Sequence, residues 1–171
     1  MTELLLVRHG ETDWNAEGRL QGRTDRPLND YGRRQARALA DELAGEGLEA
    51  VYSSDLARAR ETAEIVAERL GLEVVLDPDL REKDWGNWEG LTPAERDGLE
   101  LVAESTQEHA ARTLRALHRI AERHPGKRVL VVTHGGSLRR VQVEVLGLAL
   151  PVVENCGRWR CAFEDGSLRA R

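Results

Sequence analysis

The sequence contains no apolar run long enough to cross a bilayer and no excess of positive charge. A membrane-spanning helix needs about 20 consecutive apolar residues, so we expect no transmembrane helix and no membrane partner. The net charge of −5 gives no basic surface for general nucleic-acid binding. The first apolar run begins almost at Met1, with no basic segment and no cleavage site before it, so we expect a cytoplasmic protein.

Cysteine is also scarce, with only Cys156 and Cys161 near the end of the chain. Two cysteines in a cytosolic protein are typical of free thiols that pack as small apolar side chains. The sequence has no repeat, no low-complexity tract and no linker rich in proline or glycine. With 171 residues, 40% of them apolar, it is interpreted as one domain over 1–171.

Short apolar runs alternate with segments of helical periodicity along most of the chain. The predicted strands cover 4–7, 50–54, 73–77 and 128–133, and helical spacing is found within 29–45, 56–70, 111–121 and 138–146. In the third of these helices the spacing of Ala111, Leu114, His118 and Ala121 carries the prediction. Strand–helix alternation predicts an α/β fold, a three-layer αβα sandwich with a mostly parallel central sheet. Strand 128–133 is the most apolar and is expected at the centre, and an Asp165–Gly166 hairpin adds an antiparallel edge.

Cationic side chains follow the ends of three predicted strands. Arg8 and His9 end the first, Arg58 lies in the first turn of the helix after the second, and His134 follows the fourth. Carboxyl ends of parallel strands share one edge of the sheet, where ligands bind. Gathered cations repel each other unless an anion joins them, and arginine suits phosphate. The start of a helix also favours a bound phosphate, because its free backbone N–H groups point at the anion. At the helix that starts with Gly135–Gly136, the absence of side chains could let these amides approach an oxyanion.

Four segments, in the same order along the chain, resemble motifs of the histidine phosphatase superfamily, the branch of cofactor-dependent phosphoglycerate mutases and related phosphatases. They are LVRHGET (6–12), YSSDLARARETA (52–63), LREKDWGNWEG (80–90) and VVTHGGSLR (131–139). The resemblance covers essentially the whole chain. It implies a phosphoglycerate mutase-like fold with a short cap insertion near 83–105.

The resemblance also implies which residues act in catalysis. His9 would attack phosphorus and form a phosphohistidine, while Arg8, Arg58 and a protonated His134 would bind the phosphoryl oxygens. Glu82 would protonate the leaving oxygen and then take a proton from water. On the residues alone, an ion pair of Glu82 with neighbouring Arg81 or Lys83 is the alternative.

Further residues match the phosphate- and substrate-contacting loops of that family. They are Asn15, Gln21, Gly22 and Gly135. We expect Arg139 and Arg140 to lie on the surface, with contact to a substrate as the alternative. A metal held by His9, His134 and Glu82 is the competing interpretation. The two arginines aimed at that point would repel a divalent cation, so we expect no metal. We also expect no cofactor.

The segment after Gly90 separates the possible activities. Residues 91–105 contain one basic residue, Arg96, among several acidic ones. Mutases of the family carry a long basic insertion here, and a mutase must exclude water from its intermediate. A short acidic cap therefore favours the phosphatase branch, with hydrolysis of small phosphorylated metabolites. A phosphoglycerate mutase remains the alternative, a non-catalytic phosphate-binding domain is less favoured, and a homodimer through an edge strand is possible.

Overall fold

The computed structural model describes all residues, 1–171, as a sheet covered by helices. The strands are β1 (Thr2–Arg8), β2 (Ala50–Ser53), β3 (Val74–Leu76), β4 (Arg128–Thr133), β5 (Arg158–Glu164) and β6 (Ser167–Ala170). The helices are α1 (Asp13–Ala16), α2 (Asp30–Leu43), α3 (Ala57–Leu70), α4 (Pro93–Arg96), α5 (Thr106–Arg123) and α6 (Gly135–Leu146). Two 3₁₀ turns, Pro78–Leu80 and Gly86–Trp88, lie in the irregular part of the chain.

The six strands lie in the order β3-β2-β4-β1-β5-β6. β3, β2, β4 and β1 are parallel, and β5 and β6 add an antiparallel edge. The predicted mostly parallel sheet, with the apolar β4 in its interior, is confirmed. Asp165 and Gly166 both have positive φ, the conformation that a two-residue hairpin requires, and they join β5 to β6.

Each central strand is apolar throughout because helices cover both faces of the sheet. Leu4 and Leu6 point into a core shared with α5 and α6, whereas Leu5 and Val7 point into a second core shared with α2 and α3. Successive side chains of a strand face opposite ways, so a continuous apolar run is what two buried faces demand. The predicted three-layer αβα sandwich is therefore confirmed.

The helix predicted within 111–121 is part of α5, but only Ala121 of the four residues that indicated it is fully buried. Ala111 is exposed, and Leu114 and His118 are only half-buried. The buried side chains are instead His109, Arg112, Thr113, Ala116, Leu117, Ile120 and Ala121. The stripe was misread because its first turns carry polar residues, which are usually assigned to the solvent face.

No helix of the structure is both long and apolar enough to span a membrane.

Candidate active site

The carboxyl ends of β1, β4 and β2 lie side by side and bring separate parts of the chain together. Arg8 pairs with Thr133 across β1 and β4, and Val132 pairs with Ser53 across β4 and β2. The residues that follow these strands therefore meet at one edge of the sheet. The ring centroids of His9 and His134 are 5.2 Å apart.

His9 is held in one tautomer by its own backbone. Its Nδ1 lies 2.6 Å from the carbonyl oxygen of Gly10, which can only accept, so Nδ1 carries the proton. Nε2 is left with its lone pair and accepts a hydrogen bond from Arg58 Nε at 3.3 Å. Burial lowers the pKa of His9 well below its usual value, and the charges of Arg58 and Arg8 lower it further. The ring is therefore neutral, with Nε2 available as a nucleophile.

Arg58 is almost fully buried, although it lies in the first turn of α3. It donates to the carbonyl oxygens of Gly22 at 2.6 Å and Thr24 at 3.0 Å, besides its bond to His9. Burial lowers its pKa to about 10, against the attraction of Glu82 and other carboxylates, and it stays charged at neutral pH. A buried guanidinium with no ion pair of its own makes this part of the pocket an anion site.

Arg8 is the second cation beside His9. One of its terminal nitrogens donates to Val153 O at 2.8 Å, whereas its buried Nε has no partner. Gly135 lies against this guanidinium, so closely that a Cβ on Gly135 would come within 3.3 Å of Arg8 Nε and collide with Val152. The glycine therefore keeps the guanidinium accessible from the start of α6.

His134 also has an unpartnered ring nitrogen, and its ring lies beside that of His9. Its Nε2 lies 2.8 Å from Ser54 Oγ, which itself accepts the N–H of Leu56 at 3.3 Å. The Ser54 proton is then free for Nε2, which leaves the ring proton on the buried, unpartnered Nδ1. Burial, with Arg58 nearby, lowers the pKa of His134 well below its usual value. The lowered pKa favours a neutral His134 ring with one N–H, in contrast to the protonated ring that the resemblance implies.

Glu82 is positioned by backbone amides and not by the ion pair that its neighbours suggested. Its Oε2 accepts the N–H of Gly136 and its Oε1 that of Lys83, each at 2.9 Å. Arg81 instead forms an ion pair with Asp55 at 2.5 Å. Because the Gly136 amide already bonds to Glu82, the expectation that it would approach an oxyanion is not met.

The loop residues expected at the site also reach it. Asn15, Gln21 and Gly22 all line the pocket. The side-chain oxygen of Asn15 accepts the N–H of Thr12, and the side-chain oxygen of Gln21 accepts the hydroxyl of Thr12. Their amide NH₂ groups remain available as neutral donors. Gly22 has a φ of +54°, and Arg58 binds its carbonyl oxygen.

Together these residues line a pocket of about 370 Å³. Its walls carry one carboxylate, that of Glu82, and six cationic side chains: Arg8, Arg19, Arg58, Lys83, Arg139 and Arg140. No group of three or more His, Cys, Asp or Glu side chains is arranged to hold a metal ion. The arrangement can bind a tetrahedral anion next to an imidazole nucleophile and a carboxylic acid.

Comparison with known proteins identifies the family to which the chain belongs. A family model for the histidine phosphatase superfamily (branch 1) matches residues 4–166. The chain belongs to the histidine phosphatase superfamily. It is 44% identical to phosphoglycerate mutase-like protein 4 of Arabidopsis thaliana, over 80% of this chain and 68% of that protein.

Two further relatives of this histidine phosphatase are named as phosphatases. A metal-independent phosphoserine phosphatase of Arabidopsis thaliana is 42% identical over 85% of this chain and 69% of that protein. The solved structure of a mycobacterial glucosyl-3-phosphoglycerate phosphatase superposes with a TM-score of 0.89 at 31% identity, covering 99% of this chain and 96% of that one. The fold expected from the resemblance is confirmed.

Several residues of the pocket escaped the sequence reasoning. Arg139 and Arg140 line the pocket of this histidine phosphatase instead of lying on the outer surface. Lys83 and His109 line it too, and His109 Nε2 lies 2.9 Å from Ser137 Oγ. The signal for His109 was its place on the α5 stripe, four residues before Thr113 and eight before Leu117. For the arginines, their position one turn after Gly135–Gly136 was the available signal.

The acidic residues of 91–105 do not face the pocket, so the electrostatic part of the argument about this segment was wrong. Glu95 pairs with Arg19 at 3.0 Å. Glu104 pairs with the buried Arg112 at 2.7 Å. Burial alone would raise the pKa of Glu104, but the hydrogen bonds from Arg112 and the Asp84 amide outweigh burial and lower the pKa to about 2. These carboxylates hold the segment in place, and no residue of 91–105 lines the cationic pocket.

Proposed function

We propose that this histidine phosphatase is a metal-independent phosphomonoester hydrolase that acts on small phosphorylated metabolites through a phosphohistidine. One observation carries the proposal: Arg8 Nε and His134 Nδ1 are buried donors without partners, Arg8 lines the same pocket as His9, and the ring centroid of His134 lies 5.2 Å from that of His9. Leaving buried donors unsatisfied costs about 1–3 kcal/mol each. A phosphoryl group supplies the acceptors that both of them lack.

In the first step His9 Nε2 attacks phosphorus and the bond between phosphorus and the ester oxygen breaks. Arg8, Arg58 and the Nδ1–H of His134 bind the equatorial oxygens as negative charge shifts onto them. Glu82, protonated at this stage, gives its proton to the departing oxygen. The products are an alcohol and a phosphohistidine.

In the second step water attacks the phosphohistidine. The Glu82 carboxylate accepts a proton from this water, the new phosphorus–oxygen bond forms and the phosphorus–nitrogen bond breaks. Inorganic phosphate leaves, and both His9 and Glu82 return to their starting states. Access of water is supported by the half-exposed side chain of Val152 in the pocket wall, and we propose 83–105 as the short cap over the site.

The decisive experiment is to trap the covalent intermediate. Rapid quenching with a ³²P-labelled phosphomonoester should leave acid-labile label on His9, and His9→Ala should abolish both label and turnover. His118→Gln is the matched control, because His118 packs against Phe163 in a T-shaped contact outside the pocket. If His9→Ala hydrolyses an aryl phosphate at the normal rate, the phosphohistidine route is wrong.

A phosphoglycerate mutase is the second candidate, and the cationic pocket is the observation that favours it. Six cationic side chains exceed what one phosphoryl group requires, and they could hold a phosphoglycerate during transfer. The test compares isomerisation of 3-phosphoglycerate, with bisphosphoglycerate added, against release of inorganic phosphate. Phosphate release should dominate, and efficient isomerisation would reverse the ranking of the two activities.

A further inference from the structure

We propose that His109 is a positioning residue for Glu82, whose neutral ring turns an N–H towards the Glu82 carboxylate and stabilises it as the acid gives its proton to the leaving oxygen. The inference rests on the proposed function, because it assigns a further residue to the acid step. His109 acts through Glu82, so the role requires no contact between His109 and the substrate.

His109 is a buried titratable side chain that neither chemical step uses. Only 2% of the residue is exposed. Its Nε2 lies 2.9 Å from Ser137 Oγ and 3.6 Å from Oε1 of Glu82. Burying a polar ring is costly unless its nitrogens find partners. The two oxygens beside Nε2 therefore identify this nitrogen as the part of the ring that can act on Glu82.

The partners of Nε2 place the ring proton on it. The hydroxyl of Ser137 donates to the carbonyl oxygen of Arg81 at 3.3 Å, so its own oxygen is left to accept. An ionised Glu82 can also only accept, and its charge would repel an unprotonated Nε2 at 3.6 Å. The N–H of His109 Nε2 thus faces two acceptors. Ser137 holds it while Glu82 still carries a proton.

The ring is neutral at neutral pH. Burial lowers the pKa of His109 to about 4 and outweighs the attraction of Glu82, which is the largest opposing effect. Arg112 and Lys83 lower this pKa too, whereas Glu104 raises it. A cation in this position would favour the charged carboxylate before the reaction begins. A neutral N–H lets Glu82 keep the proton that it must donate.

Loss of the proton from Glu82 changes the balance between the two acceptors. A hydrogen bond to a charged oxygen is shorter and about twice as strong as one to a neutral oxygen. Oε1 accepts the N–H of Lys83 and has room for a second donor. An approach of ~0.5 Å brings His109 Nε2 within hydrogen-bond distance of it. This bond strengthens only as the proton leaves, so it favours the transition state over the bound substrate.

The first turns of α5 support Glu82 at two levels. Arg112 donates to the carbonyl oxygen of Glu82 at 2.7 Å and to those of Asp79 and Arg81. Arg112 thus fixes the backbone that carries the acid, whereas His109 faces its carboxylate. Both residues belong to the buried stripe of α5. The two roles explain why this part of the stripe is polar.

The test compares kcat/KM for an alkyl phosphate and an aryl phosphate in variants of His109. This constant covers the steps up to departure of the alcohol, and only the alkyl ester needs the proton of Glu82 there. His109→Leu removes the N–H, so the alkyl value should fall about tenfold while the aryl value changes little. His109→Gln keeps an N–H donor and should restore part of the loss. Thr113→Val is the matched control, because Thr113 is buried on α5 and bonds to the carbonyl oxygen of His109.

A second measurement needs no variant. Nitrogen NMR of wild-type protein labelled with ¹⁵N-histidine distinguishes a protonated from an unprotonated ring nitrogen, and the His109 signals are assigned through its backbone resonances. We expect the proton on Nε2 at neutral pH. A proton on Nδ1 would leave no N–H towards Glu82 and would overturn the proposal.

Three kinetic results would also refute the positioning role. They are equal losses on both esters in His109→Leu, as a purely structural role would give, an unchanged alkyl value, and an alkyl-specific loss of the same size in Thr113→Val. Labelling of His9 in the same proteins keeps the two proposals separate. Label on His9 without an alkyl-specific loss refutes the role of His109 alone, whereas absence of label from wild type refutes the proposed hydrolytic route.

Discussion

Gly136→Ala should selectively disable the acid step, because Gly136 lies directly against the carboxylate of Glu82. A Cβ at this position would lie 2.9 Å from Cδ and Oε2 of Glu82 and closer still to Oε1, whereas ordinary contacts begin near 3.4 Å. The carboxylate must therefore move by ~0.5–1 Å, and a shift of that size costs up to about 100-fold in rate. The helix itself tolerates alanine at this position well.

The assay compares an alkyl phosphate with an aryl phosphate. An alkoxide needs a proton as it leaves, so kcat for the alkyl ester should fall by about 10²-fold in Gly136→Ala. A phenolate with an electron-withdrawing ring leaves without that proton, so the aryl ester should lose far less. Glu82→Gln should give the same split, and Gly45→Ala, whose Cβ meets nothing within 4 Å, should change neither rate. Equal losses on both esters, or an unchanged alkyl rate, would refute the assignment of Glu82 as the acid.

Three further predictions follow from other contacts of the site. Ser54→Ala removes the hydroxyl that orients His134 and should weaken binding of inorganic phosphate by about tenfold in calorimetry, whereas Ser167→Ala in the exposed hairpin should not. Arg112→Met breaks a buried pair with Glu104 and should cost about 3–5 kcal/mol in urea unfolding; an unchanged midpoint would contradict this. Because burial depresses the pKa of His9 and His134, the unfolded chain binds more protons below about pH 6.5. The free energy of unfolding should therefore fall as pH falls through that range, by up to about 1.4 kcal/mol per pH unit for each histidine, and saturating phosphate should reduce the slope.

The sequence predicted the residues around His9 well because they are tied to strand ends. The continuous apolar character of β1 and β4 identifies two buried parallel strands, and parallel strands end at the same edge. That rule alone brings Arg8, His9 and His134 together, without any knowledge of side-chain contacts. The four family motifs then indicated the catalytic roles of these residues, which their positions in the sequence alone do not give.

The rest of the site could not be predicted because it depends on which face of a helix meets the pocket. His109 and Arg112 belong to the buried stripe of α5, yet polar residues at the end of a stripe look like solvent-facing ones in a sequence. On the residues alone, an ion pair of Lys83 or Arg81 with Glu82 was the alternative, since neighbours in sequence are not distinguished from neighbours in space. The structure gives the carboxylate two backbone amides instead, and this choice leaves Lys83 free.

The arrangement of charged groups in this pocket keeps the nucleophile, His9, unprotonated. Arg58 and Arg8 bind the anion, and their charges also lower the pKa of His9, so the same cations keep Nε2 unprotonated and reactive. A carboxylate that neutralised them would raise that pKa and compete with the substrate for the same donors. Glu82 forms no ion pair with either arginine, because backbone amides, not guanidinium groups, satisfy its oxygens. An acid can therefore stand beside two arginines, and the anion they receive is the phosphoryl group that His9 attacks.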